Sequence, residues 1–256
     1  MTPVRQVAVI TGSSSGIGAA TARLYASKGW NVLVNYSRNP APAEAVAAEC
    51  RSLGADVRVV QADIASDADC RRLAAEAEAA WGRVDVLVNN AGTTKFVPLR
   101  DLEALTAEDF HAIYDVNVVG SFHMTRALVP LMQRTPGGGI VNISSVASMM
   151  GRGSSLPYMA SKGALNAMTI ALARALGPSL RVNAIAPGFV ETPWLKAGLG
   201  DEGYEAGAQA YRRGAVLEAV IQPEDVAEAA WWLGAGAAKT TGEVLLLDAG
   251  LRLGRL

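Results

Sequence analysis

Cysteine, histidine, aromatic side chains and net charge are all scarce in this chain. Cys50 and Cys70 are its two cysteines, and a lone pair in alanine-rich stretches builds neither a disulfide framework nor a thiolate metal site, which points to a reducing compartment. The two histidines, His111 and His123, fall on one predicted helix without acid or thiol partners at ligand spacing. Metal chemistry is therefore not expected, and surface or interface positions suit them better. Charged residues make up 18% of the chain and the formal net charge is −1, with signs mixed along it. The basic footprint that nucleic acid or an anionic membrane needs is missing, whereas a small neutral or anionic ligand is easily accommodated. No apolar run is long enough to span a bilayer, and Met1–Gln6 leads into a strand without a charged-then-apolar leader pattern, so a cytoplasmic location is expected.

What the chain does have is apolar bulk: 256 residues, half of them hydrophobic, enough for one large α/β domain over residues 1–256. Short β-branched runs alternate with alanine- and leucine-rich stretches of helical length. The strands are expected at Val7–Thr11, Asn31–Asn35, Asp56–Gln61, Val84–Asn89, Ile140–Ser144, Leu180–Ala186 and Glu243–Leu247, most too apolar to be exposed on either face. Helices are expected near Ile17–Lys28, Pro42–Leu53, Ala68–Trp81, Ala107–Gln133, Tyr158–Leu176 and Glu224–Leu233, with Asp67 as an N-cap and Gly29 and Gly177 as stops. The alternation predicts a Rossmann-type, doubly wound parallel sheet of seven strands with helices on both faces. Glu191–Arg213 lacks a clean period and reads as a mobile insertion, giving a substrate loop or lid over about residues 189–213.

Directly after the first strand comes Thr11-Gly12-Ser13-Ser14-Ser15-Gly16-Ile17-Gly18, running into an alanine-rich helix. Glycines let backbone approach a pyrophosphate, and the helix amides and dipole stabilise its charge, so Gly12, Ser14, Ser15, Gly16, Ile17 and Gly18 are candidate dinucleotide contacts. The same loop also reads as a plain strand-to-helix turn, and its Gly-x3-Gly-x-Gly spacing departs from GxGxxG. Further down the chain stand Asn89-Asn90-Ala91-Gly92, Asn117, Ser145, Tyr158-Met159-Ala160-Ser161-Lys162 and Pro187-Gly188. Each falls at a strand end or on the helix expected, which is where open α/β sheets bind ligands.

In loop spacing, motif order and coverage of nearly the whole chain, the sequence resembles the short-chain dehydrogenase/reductase family. The resemblance implies a nicotinamide-dependent oxidoreductase in which hydride passes between the cofactor and a carbonyl carbon. It implies that Tyr158 gives or takes the proton, Ser145 positions the carbonyl, Lys162 also bonds the nicotinamide ribose, and Asn117 holds a relay water. For the cofactor it implies Asp63 and Ile64 at the adenine, Asn90, Ala91 and Gly92 along the adenosine side, and Pro187, Gly188, Val190 and Thr192 at the carboxamide.

The residues read without the family support part of this. Tyr158 and Lys162 are spaced i, i+4, so the ammonium lies near the phenol and favours phenolate; an isolated YxxxK also suits a solvated helix face. Ser145, thirteen residues upstream, can donate to a carbonyl oxygen; Ser144 is its rival. Asn117 also reads as an amide satisfied within its helix, and Asp63 and Pro187-Gly188 as turn residues.

The second strand ends Asn35-Tyr36-Ser37-Arg38, with no acid before Glu44. Arg38 with Ser37 suits a 2′-phosphate, so Tyr36, Ser37 and Arg38 point to NADP over NAD; the glycine loop carries Ser15 rather than a second basic residue, which allows a partial preference and NAD use. For the substrate, Phe96, Leu156, Phe189 and Trp194 join Ser145 and Tyr158 as an apolar lining, although such aromatics also form small cores of their own. The likeness to 3-oxoacyl-carrier-protein reductases puts a carbonyl thioester first and a sugar or secondary alcohol second. Arg152, Arg212 and Arg213 are candidates for meeting an acidic carrier. The family further implies a homotetramer, and a non-catalytic dinucleotide-binding regulator is the alternative of another class.

Overall fold

The computed structural model describes residues 5–135 and 137–254. Its strands are β1 (Val7–Ile10), β2 (Asn31–Tyr36), β3 (Val57–Gln61), β4 (Val86–Asn89), β5 (Gly139–Ile143), β6 (Arg181–Pro187) and β7 (Val244–Leu247). They form one seven-stranded sheet in the order β3-β2-β1-β4-β5-β6-β7, every neighbour parallel. Alternation of side chains explains why both faces are covered. In β1, Ala8 and Ile10 enter one core with Tyr25, Val46 and Val226, whereas Val7 and Val9 enter the other with Leu73, Met124 and Leu128. Ile10, Leu33 and Leu87 are fully buried, and each such side chain contributes about 2 kcal/mol relative to exposure.

The first face is covered by α1 (Gly16–Ser27), α2 (Pro40–Ser52) and α9 (Pro223–Trp231), and the second by α3 (Asp67–Trp81), α5 (Ser121–Met132) and α7 (Leu156–Leu176). The strand order reverses between β1 and β4. That reversal splays the following loops apart and opens a crevice at the carboxyl ends of the strands.

Several expectations need correction. The N-cap of α3 is Ser66, whose hydroxyl accepts from the Asp69 amide, and Asp67 is the first helical residue, bonded to Arg71 and Arg126. The stretch expected as one helix over Ala107–Gln133 is α4 (Ala107–Tyr114), a π-helical segment (Asp115–Gly120) and α5. Glu191–Arg213 is largely helical: α8 runs Pro193–Gly214 and is kinked at Gly200 (φ 71°, ψ 166°). Its glycines hid the period, and the Thr192 hydroxyl caps its start by accepting from the Leu195 amide. The edge strands are not sealed, since Arg58 and Gln61 of β3 are exposed and all of β7 is half-buried. Helix α7 begins at Leu156 because Pro157 is tolerated in a first turn, where its missing N–H has no partner to lose. Gly177 ends it in extended backbone. Among the described residues no helix is long and apolar enough to cross a membrane.

Candidate active site

The loop after β1 is locked from below, and Thr11, Ser13 and Asn35, which do much of the locking, are not among the candidate dinucleotide contacts. Asn35, buried in β2, accepts from the Gly12 amide at 2.9 Å and donates to the carbonyls of Val60 and Ala62 at 3.2 and 3.1 Å. Ser13 donates to the Ile10 carbonyl and accepts from the Asn35 amide. Thr11 accepts the amides of Asn90 and Ala91, both at 3.0 Å, while the Asn90 amide group donates back to the carbonyls of Thr11 and Gly12. The loops after β1 and β4 are thus one hydrogen-bonded unit across the crevice.

Two glycines make that approach possible. Gly12 has φ +59°, and a β-carbon there would lie 2.9 Å from the Ala91 Cα; at Gly18 it would lie 2.5 Å from both the Asn90 Nδ2 and the Gly12 carbonyl oxygen. Ser15, extended and exposed, precedes α1 without a side-chain cap bond, and no acid stands in the first turn. The amides there are left for an anion, so this cradle fits the pyrophosphate of a dinucleotide. Ser14 and Ile17 flank it half-buried.

Beyond β2, Tyr36 is half-buried and Ser37 and Arg38 are exposed. The Ser37 carbonyl accepts from Gln61, and Arg38 has no ion-pair partner among the described residues. Asp63 is exposed and accepts from the Ala65 amide at 3.0 Å in a local turn. Ile64 is core, lying under Gly120.

On the other side of the crevice β5 ends at Ile143 and its two following serines diverge. Ser144 is buried and donates to the Lys162 carbonyl at 3.3 Å, while Ser145 is half-exposed and hydrogen-bonds Tyr158. The Ser145 hydroxyl oxygen also accepts from the Ala147 amide at 3.1 Å. Lys162 is buried, its Nζ donating to the Ile143 carbonyl at 2.7 Å and lying 5.7 Å from the Tyr158 ring centroid. Desolvation brings its ammonium down to about 8. Desolvation also raises Tyr158 above an ordinary phenol, with the Ser145 hydrogen bond pulling it partly back. In the protein alone desolvation therefore outweighs the Ser145 hydrogen bond, the expected drop toward phenolate is not found, and the phenol is held protonated.

Asn117 sits in the π segment, fully buried. Its Oδ1 accepts from the Thr93 amide at 2.8 Å, and its Nδ2 donates to the Thr93 carbonyl and the Ser161 hydroxyl at 3.0 and 2.9 Å. The amide thus clamps the turn after β4 onto α7. A β-carbon on Gly92 would lie 3.3 Å from the Asn117 Oδ1 and 3.5 Å from the Lys162 Nζ, so turn, amide and ammonium converge.

Above Tyr158 lies an aromatic run. Trp194, at the start of α8, has its ring centre 6.4 Å from that of Tyr158 and 5.6 Å from that of Phe96. Leu156 is exposed at the α7 end of this run. Phe189 belongs elsewhere, packing on Tyr204 and Tyr211 in a small core under α8 with Ala208, Ala215 and Val220. Pro187 ends β6, the Gly188 amide donates to the Leu247 carbonyl, and Val190 is core. The Thr192 methyl faces Gly16, setting the start of α8 over the phosphate loop. Arg152, Arg213 and Arg252 line an open cleft of about 680 Å³ with Met150 and Leu253; Arg212 is not among its residues.

Sequence reasoning missed Thr11, Ser13, Asn35 and Thr93, whose roles are buried hydrogen bonds between distant segments. A polar residue inside an apolar strand, as at Asn35, was the available signal.

The sequence profile described as short chain dehydrogenase matches residues 6–202. The chain is 43% identical over 251 residues, 98% of both chains, to a protein named for ketoacyl reduction in the granaticin polyketide synthase of Streptomyces violaceoruber. It is 36% identical over 249 residues, 96% of both chains, to a 3-oxoacyl-[acyl-carrier-protein] reductase of Synechocystis. A solved short-chain dehydrogenase/reductase from Burkholderia xenovorans superposes with a TM-score of 0.91 at 40% identity, covering 98% of this chain and 99% of the other. The chain belongs to the short-chain dehydrogenase family, and is an oxidoreductase of the kind that family comprises.

Proposed function

We propose that the protein is an NADPH-dependent ketoreductase acting on a 3-oxoacyl thioester. The observation that carries this is the convergence of Ser145, Tyr158 and Lys162 beside the glycine cradle, held by Ile143, Asn117 and Thr93. A bound reduced dinucleotide supplies the hydride. The chain's own residues supply orientation and the proton. The Ser145 oxygen accepts from the Ala147 amide, and its hydroxyl hydrogen, engaged with Tyr158 in the protein alone, can turn to a carbonyl oxygen and stabilise charge developing there. Tyr158, kept protonated by burial, donates its proton to that oxygen. Lys162 commits one of its three N–H donors to Ile143, leaving two for a ribose hydroxyl and for returning a proton to the phenol. Asn117 keeps the turn at Gly92 against this ammonium, and the second lone pair of its Oδ1 can hold a relay water.

Ser37 and the unpaired Arg38 at the end of β2 favour the 2′-phosphate. The thioester reading draws on the names of the relatives, on the apolar run of Phe96 and Trp194, and on the arginine-lined cleft, which suits an acidic carrier. Free, buried cysteines suit a reducing, cytoplasmic setting, and exposed Phe110, Val119, Phe122 and Ile170 on α4, the π segment, α5 and α7 offer apolar faces to the other copies of a homotetramer. A dinucleotide-binding regulator would not require Ser145, Tyr158 and Lys162 in register.

Tyr158→Phe is the direct test. NADPH binding, followed by nucleotide fluorescence, stays within a few-fold of wild type, while turnover of a β-ketoacyl thioester falls on the order of 1,000-fold. Equal turnover in both proteins overturns the mechanism. Wild-type enzyme that reduces no thioester but turns over sugars or secondary alcohols overturns the substrate assignment. For the cofactor, Arg38→Ala lowers the NADPH over NADH ratio of kcat/KM about tenfold, the worth of one charge-assisted contact; an unmoved ratio removes Arg38 from that role.

A further inference from the structure

Tyr158 and Lys162 share a face of α7, and the next residue on that face, four further along, is Asn166. Its Nδ2 donates to the Ser148 hydroxyl at 2.9 Å, and Ser148 in turn donates to the Ser145 carbonyl at 2.7 Å. The Asn166 Oδ1 is buried with no partner among the described residues. Ser148 lies in α6 (Ala147–Met150), a four-residue helix too short to hold its own shape. The neighbours of Ser145 are tied to β6, with Ser144 donating its amide to the Ile185 carbonyl and Val146 to the Pro187 carbonyl. Ser145 itself is tied through its carbonyl, which takes the hydroxyl and the amide of Ser148.

We infer that Ser148 and Asn166 are positioning residues for the reaction, a two-link tie that fixes the loop carrying Ser145 to the helix carrying Tyr158 and Lys162. The inference rests on the catalytic reading above. Two other bonds join β5's end to α7, from Ser144 to the Lys162 carbonyl and from Lys162 to the Ile143 carbonyl, but both stop short of Ser145, whose own carbonyl is held toward α7 only through Ser148 and Asn166 among the described residues. With that tie, the two donors that must meet one carbonyl oxygen keep a fixed separation. Orientation of this kind is costly to lose, since a shift near 1 Å can slow a reaction about 100-fold. The unpaired Oδ1 argues against a purely structural purpose. An apolar side chain of the same shape would remove both the lone donor–acceptor tie and the buried unpaired oxygen, and would be at least as stable.

That contrast defines the experiment. In Asn166→Leu the thermal midpoint is unchanged or higher and the NADPH dissociation constant is unchanged, yet kcat on a β-ketoacyl thioester falls about tenfold. Ser148→Ala shows the same loss, Ser148→Thr recovers most of it, and the double variant Ser148→Ala/Asn166→Leu is no slower than the slower single, because either change severs the same tie. Wild-type kcat in Ser148→Ala, multiplicative losses in the double variant, or losses of kcat, cofactor affinity and thermal midpoint in step overturn the tie. Tyr158→Phe is run alongside: if it stays active the catalytic reading fails, whereas an inactive Tyr158→Phe with a fully active Ser148→Ala refutes the tie alone.

Discussion

The two walls of the active-site crevice are built on different principles. On the cofactor side, the loops after β1 and β4 bond through Thr11 and Asn90, Asn35 of β2 holds Gly12 from below, and glycines bring the loop backbones into contact. On the substrate side, a short α6, the exposed Met149 and Leu156, and a kinked α8 surround the chemistry, with Trp194 43% exposed above Tyr158. One wall is backbone braced by buried hydrogen bonds, with the free amides at the start of α1 turned to a ligand whose shape does not vary. The other presents apolar side chains on elements with fewer constraints, which is where a family sharing one cofactor can differ in its carbonyl substrates.

Breaking the cofactor wall should have the largest effect. In Gly18→Val the new β-carbon meets Asn90 and the Gly12 carbonyl at 2.5 Å, both fixed by hydrogen bonds. The loop must separate from the β4 turn, and dinucleotide affinity measured by calorimetry falls at least about 100-fold, the equivalent of losing two strong phosphate contacts. A folded variant that binds NADPH normally would show that the two loops are not one unit.

A middle-sized effect belongs to Lys162, which stands between the walls. Its conjugate-acid value, depressed to about 8 by burial, means that it is charged below that pH and neutral above it. If its ammonium returns the proton to Tyr158, kcat/KM for reduction is level at lower pH and falls about tenfold per pH unit above the limb. Oxidation of the alcohol runs in the opposite sense. In Lys162→Arg the guanidinium stays charged, so the limb near 8 moves upward even where residual activity is low. A limb unchanged in that variant assigns it to another group.

How much of this was legible in the sequence follows the same division. The strand–helix alternation comes from apolar periodicity, and Val7, Val9, Ala8 and Ile10 sort to the faces that alternation predicts, whereas the strand order is visible only in the fold. Gly12, Gly18, Ser145, Tyr158 and Lys162 stand out through motif order and the family resemblance, since taken singly they also read as a turn or a solvated helix face. Asn35 and Asn166 do not, since their partners Gly12 and Ser148 lie 23 and 18 residues away and only the fold brings them together. Helix α8 is hidden by glycines that dilute its period, and Phe189, expected among the substrate residues, packs on the small core beneath that helix. For Tyr158, spacing reveals the neighbouring charge, but the desolvation that raises the phenol in the protein alone is a property of the whole crevice.

The smallest effect should come from the substrate wall. Trp194 touches the reaction only through its face toward Tyr158, is 43% exposed, and has Phe96 as its other aromatic neighbour. Truncating it in Trp194→Ala removes little buried area, so the thermal midpoint moves by no more than a degree or two, consistent with a surface substitution of about 0.5 kcal/mol. A carbonyl substrate with a long acyl chain loses the apolar surface that the indole covers, whereas a two-carbon analogue never reached it. KM for the long substrate should then rise several-fold, since burying one or two methylenes is worth about 1 to 2 kcal/mol, with kcat and NADPH affinity unchanged. Equal KM changes for long and short substrates would mean that Trp194 shapes the position of Tyr158 rather than the acyl site, and would join the two walls that the geometry otherwise keeps separate.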